Sequence, residues 1–78
     1  MANDRNVLGD MVREAREDNG LSLSEAAKKI GVSKAYLWEI EDGRHKNPTI
    51  SVAAGMRRVL GLSAKKIIDA AEDYSHGE

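Results

Sequence analysis

The stretch from Ser22 to Gly43 reads SLSEAAKKIGVSKAYLWEIEDG, and the fold turns on it. Ser22 followed three residues later by Glu25 is a capping box: the hydroxyl accepts from the first helical turn and the carboxylate reaches back. The helix predicted behind it carries Ala26, Ala27 and Ile30 and stops at Gly31. At roughly two turns it is too short to persist alone. Ser33 caps a second short helix through Leu37 and Ile40, which ends at Asp42 and Gly43. Only Gly31, Val32 and Ser33 separate the two, a turn of the kind that joins steeply crossed helices. Such a crossing needs a small side chain where the axes approach, and Ala27 supplies it. It also needs a residue free to take positive φ, and Gly31 is that residue. Val32 plugs the corner, while Leu37 and Ile40 anchor the second helix.

Working outward, apolar residues recur at helical spacing on both sides of this pair. Val7/Leu8, Met11/Val12 and Ala15 form a stripe that ends at Asn19 and Gly20. After the polar connection Arg44-His45-Lys46-Asn47, Pro48 and Thr49 signal the start of a fourth helix. Its stripe is Val52/Ala53, Met56 and Val59/Leu60, with Gly61 as the stop. Ser63 caps a fifth helix, about 64–74, with Ala64, Ile67/Ile68, Ala71 and Tyr74 on its apolar side. No run alternates with period two, and residues 75–78 are expected to fray. The expectation is an all-α domain of five helices over 1–78, with the central motif at 22–43.

Composition narrows the function classes. The 78 residues allow one small domain with little room for a carved catalytic cleft. Zero Cys excludes disulfides and thiolate metal sites. No stretch is long and apolar enough to cross a bilayer, and residues 1–5 lack the apolar core of a secretory signal. The expected location is therefore cytoplasmic. His45 and His76 fall in a loop and the tail, and neither a Gly-rich phosphate loop nor a paired-acid constellation occurs. An enzyme is not expected, nor a cofactor, a metal or a small-molecule substrate.

Net charge is −1, which at face value speaks against a polyanion as partner. Its distribution says otherwise. Residues 28–66 carry nine bases against three acids, a balance of +6, between flanks of −3 and −4. A local positive field steers a polyanion whatever the total. Solvated helix faces also carry Lys and Arg, so charge alone does not decide.

The set Ala27, Gly31, Val32, Ser33, Leu37, Ile40, Glu41 and Gly43, at these spacings, resembles the lambda-repressor-like (phage-repressor-type, xenobiotic-response-element-type) helix-turn-helix family. The resemblance continues through Pro48 and Leu60-Gly61-Leu62-Ser63 and reaches back to Arg16 and Leu21, covering about residues 8–63. It implies a bundle of four or five helices and sequence-specific binding of double-stranded DNA as a homodimer. In the family the second helix of the motif presents its first turn to base edges in the major groove. The matching positions are Ser33, Lys34, Ala35 and, one turn on, Glu39. Lys34 can donate to guanine, Ala35 can offer a methyl to thymine, and Glu39 can accept from cytosine N4.

Backbone contacts are implied at Ser22, Tyr36, Trp38, Arg44, His45, Lys46 and Thr49. For Trp38 two roles stand open: packing on the sugar-phosphate backbone or a partner, or filling a gap in the small core. Arg16 and Glu41 match a family salt bridge between the first and third helices. Leu23 stands where relatives often place Gln, and Ala26 where they place Leu, a deficit that Met56 or Trp38 would fill. Part of the stripe Ile67, Ile68, Ala71 and Tyr74 reads as a self-complementary dimer patch, because four helices already close a bundle; the alternative is that helix five packs back on its own domain. The implied activity is that of a transcriptional repressor on a roughly palindromic operator. The rival is a protein-interaction module, or an antitoxin- or controller-type autoregulator, that uses the same fold to hold a protein such as a toxin or polymerase subunit. Net acidity, Leu23 and an exposed Trp38 favour the rival, and the basic loop at 44–47 opposes it.

Overall fold

Five helices succeed one another: α1 (Val7–Asp18), α2 (Leu23–Ile30), α3 (Lys34–Glu41), α4 (Ile50–Leu60) and α5 (Ala64–Ser75). The computed structural model describes residues 7–45 and 47–75, the last three by backbone alone. No strand occurs among the described residues.

The helix starts are set locally. Ser22 Oγ accepts from Glu25 N at 3.1 Å while Glu25 Oε1 accepts from Ser22 N at 2.8 Å, closing the capping box. Ser33, Thr49 and Ser63 cap α3, α4 and α5 through their hydroxyls. Gly31 takes φ 95°, and its N–H and that of Val32 both donate to Ala27 O, at 2.8 and 3.0 Å. This left-handed stop ends α2 and turns the chain into α3 within three residues.

The backbone N–H of Ser22, together with its hydroxyl, holds the Glu25 carboxyl below its usual 4.5. A lowered carboxyl contributes stability that is complete above the usual value and is lost as pH falls through the folded one. Glu25→Gln is therefore expected to lower the melting temperature slightly at pH 7. The gap between variant and parent should close as pH is taken well below 4.5, in parallel thermal melts followed by circular dichroism.

Packing ties the short helices to the long ones. α1 lies against α3, α4 and α5; α2 lies against α3 and α4; α4 also meets α5. The core joins Leu8 and Val12 of α1, Ala26, Ala27 and Ile30 of α2, Leu37 and Ile40 of α3, Met56 and Leu60 of α4, Leu62, and Ile67 and Ala70 of α5. Met56 is fully buried among these residues, whereas Trp38 is 44% exposed and does not fill the core.

Gly55 has a role that periodicity does not reveal. A Cβ there would stand 2.9 Å from Ile30 Cγ2 and 3.0 Å from Ile30 O. The bare α-carbon is what lets α4 approach α2.

The fifth helix packs back on its own domain with part of its stripe. It is part of the bundle, because Ile67 and Ala70 are buried against the other helices. Ile67 thus serves its own core and is withdrawn from any dimer patch. Neighbours on a helix diverge by about 100°, so Ile68 turns outward and is 55% exposed.

Candidate nucleic-acid interface

α3 divides its residues between two sides. Leu37, Ile40 and Glu41 are buried, which leaves Lys34, Ala35, Trp38 and Glu39 toward the outside. Lys34 and Ala35 lie in the first turn and are exposed. Ser33 is exposed too, but its Oγ already accepts from Tyr36 N at 3.0 Å as the helix cap. Its hydroxyl proton remains available to a base or phosphate.

One ion pair fixes the pose of α3. Arg16 Nε and Nη2 donate to the two carboxylate oxygens of Glu41 at 2.7 and 3.0 Å, and Nη1 donates to Leu21 O at 3.0 Å. The side chains are only 15% and 7% exposed. Arg16 thereby links α1, the α1–α2 connection and α3 through one planar fork. The hydrogen bond to Glu41 raises the guanidinium pKa above its already high value.

The loop behind α3 is less available than its composition suggests. Arg44 Nε donates to Asp42 Oδ2 at 2.8 Å, and its guanidinium carbon stands 5.0 Å from the Trp38 ring centroid. The bond to Asp42 pushes the Arg44 pKa up. Trp38 therefore acts as a surface platform for Arg44, a cation–π arrangement. His45 Nε2 lies 2.8 Å from Glu39 Oε1, and its ring packs on Tyr36 with centroids 4.8 Å apart. Tyr36 is half-buried against the core. These pairings were missed because they arise where the chain folds back on α3, which residue spacing does not specify. The +6 of the central region is also softened from outside it, because Lys65 Nζ pairs with Asp69 Oδ2 at 2.9 Å.

Ser22 and Thr49 occupy helix N-termini, where backbone amides face outward. Thr49 is exposed and caps Val52 N at 3.3 Å. Lys46 lies outside the described residues, and the Tyr74 side chain outside the described side chains.

Away from α3, a groove of about 320 Å³ runs between α4 and α5, lined mainly by Ile50, Ala53, Ala54, Ile68 and Ala71 with Arg57. Ile50 is 90% exposed. Of the proposed dimer residues, Ile68 and Ala71 line this groove from α5, and the buried Ile67 forms part of its floor. Ile50 carried no role in the sequence reading. Among the described residues no group of His, Asp and Glu is arranged to hold a metal ion.

The helix-turn-helix domain family matches residues 7–67. The HTH-type transcriptional regulator SinR of Bacillus subtilis (strain 168) is 36% identical over 63 residues, which are 81% of this chain and 57% of SinR. A crystal structure of SinR, described as the master regulator for biofilm formation, in complex with DNA superposes with a TM-score of 0.73. It is 37% identical and covers 80% of this chain and 98% of that one. A SinR–SinI protein complex gives the same TM-score and identity, covering 80% of this chain and 60% of the SinR chain. The chain spans a little over half the length of this curated relative. Five helices in this order, the buried Arg16–Glu41 pair and a family match over residues 7–67 agree, and the chain belongs to the lambda-repressor-like helix-turn-helix family.

Proposed function

We propose that this chain is a sequence-specific DNA-binding transcriptional regulator, a repressor that binds a roughly palindromic operator as a homodimer. One observation carries the reading. α3 holds Lys34, Ala35 and Glu39 outward on a helix locked by Leu37, Ile40 and the Arg16–Glu41 pair, in a fold whose relative SinR is solved on DNA. In this role Lys34 donates to guanine O6 or N7, Ala35 packs on a thymine methyl, and Glu39 accepts from a cytosine amino group. Ser22, Tyr36, Thr49 and the Arg44–Trp38 unit position the duplex through its backbone, with Lys46 added from the sequence. The chain is a binding protein and not an enzyme. It works in the cytoplasm, where a regulator of this family meets DNA.

Two copies paired through Ile68 and Ala71 of α5 would read a palindromic site provided that their α3 helices stand about one DNA turn apart. A second reading puts a protein partner, in place of the second copy, on this face. The α4–α5 groove with exposed Ile50 is an apolar surface away from α3, and the relative SinR is solved with SinI. An autoregulator of the antitoxin or controller type would use both surfaces.

Lys34→Ala tests the assignment. The variant is expected to lose about 1–3 kcal/mol of discrimination at one base position while binding bulk duplex nearly as well. Competition binding against single-base operator variants reads this out. Uniform weakening on every sequence would instead make Lys34 a phosphate contact.

A further inference from the structure

After α3 the chain folds straight back onto Glu39. The main-chain oxygen of Glu39 accepts from Arg44 N at 2.8 Å and from His45 N at 3.3 Å. Its side-chain Oε1 meets His45 Nε2 at 2.8 Å, six residues along the chain. The imidazole is held from another side by Tyr36, whose ring centroid lies 4.8 Å away at an interplanar angle of 42°. Tyr36 is in turn packed on the core. His45 is therefore anchored by its backbone, its ring nitrogen and its ring face, and the object it grips is Glu39.

The grip matters because of what an unrestrained Glu39 would do. A half-exposed glutamate samples several rotamers, and ordering it on binding costs conformational entropy. A mobile carboxylate beside a duplex also meets phosphate repulsion. With Oε1 engaged by His45, the carboxylate keeps one orientation and presents Oε2 as the acceptor left for a base amino group. Both side chains remain reachable from outside, at 45% exposed for His45 and 39% for Glu39.

We infer that His45 is a specificity-positioning residue: it fixes the Glu39 carboxylate, so that discrimination at the base facing Glu39 is set jointly by α3 and the loop behind it. This assigns His45 a role acting through Glu39, in place of the phosphate contact that the family pattern implies. The inference rests on the DNA reading above.

The test uses the full chain and four variants: Glu39→Ala, His45→Ala, His45→Gln and the Glu39→Ala/His45→Ala double variant. Each is put through site selection from a random duplex pool, followed by competition binding on single-base variants of the selected site. His45→Ala is expected to relax preference at the same base position as Glu39→Ala, by roughly three- to tenfold. The double variant should lose no more than Glu39→Ala alone, because the two residues act as one unit. His45→Gln keeps an N–H donor and should restore part of the preference. Unchanged preference in His45→Ala, with weaker binding to every sequence, would overturn the positioning role and leave the DNA reading intact. If the unaltered chain selects no sequence at all, the DNA reading fails and the positioning role falls with it.

Discussion

Glu41→Ala is expected to lower the unfolding free energy by about 3 kcal/mol. Removing Glu41 strands the Arg16 guanidinium in a site where only 15% of its side chain meets water. Its Nη1 keeps Leu21 O, but Nε and Nη2 lose both carboxylate oxygens. The penalty sits at the lower end of that for a broken buried pair, because the residual exposure lets water reach part of the guanidinium. For a domain of this size, with total stability on the order of 4–12 kcal/mol, that is a large fraction. The melting temperature should fall by roughly 12–24 °C, measured by thermal denaturation. Replacing both residues together, Arg16→Met with Glu41→Leu, should recover much of the loss, since two charges no longer need desolvation. A double variant as unstable as Glu41→Ala would show that the loss does not come from the stranded guanidinium but from the hydrogen bonds that the pair itself makes.

Leu37→Ala is the second large effect. Leu37 has no exposed surface and anchors the middle of α3 among core residues contributed by the other helices. Truncation leaves a cavity that short, cap-constrained helices cannot easily close, so a loss of about 2–5 kcal/mol is expected. Denaturant unfolding should show a lower midpoint with an unchanged slope. The consequence reaches the binding surface, because Lys34, Ala35 and Glu39 project from the same helix. In the fraction that remains folded, base discrimination should weaken more than bulk duplex binding. A variant that keeps full stability would mean that α3 does not depend on Leu37 for its seat.

The sequence was most readable where the determinant is local. Ser22 with Glu25, Gly31, Ser33, Thr49 and Gly61 each mark a helix end through a side chain or a φ value, and each does so in the structure. The core stripes of α1 and α4 follow from helical period alone. What was hidden depends on a distant partner. Nothing in the spacing of α4 singles out Gly55, whose need arises from Ile30 of α2. Ile67 and Ile68 are chemically alike, and only the docking of α5 on α1 and α4 decides which one is buried. The same holds at the candidate site. The exposure of Lys34 and Ala35 follows from the positions of Leu37 and Ile40, whereas the hold of His45 on Glu39 and of Asp42 and Trp38 on Arg44 follows from the loop's return path.

That return path also changes the meaning of the charge. The total of −1 conceals a basic centre, yet two of its bases, Arg44 and Lys65, are already held by carboxylates of the chain itself. Affinity for DNA without regard to sequence should be modest, which places the weight on dimer geometry and base contacts.

The most direct measurement is the salt dependence of duplex binding, followed by the fluorescence of Trp38. Trp38 is the chain's one tryptophan and lies on the outward side of α3 beside Arg44. With about four phosphate contacts per subunit, the account predicts quenching or a spectral shift on titration with a selected operator. It also predicts a log–log slope of affinity against salt of roughly −7 for the dimer. An emission spectrum that stays constant at low salt, with the mobility of the DNA unchanged, would contradict it.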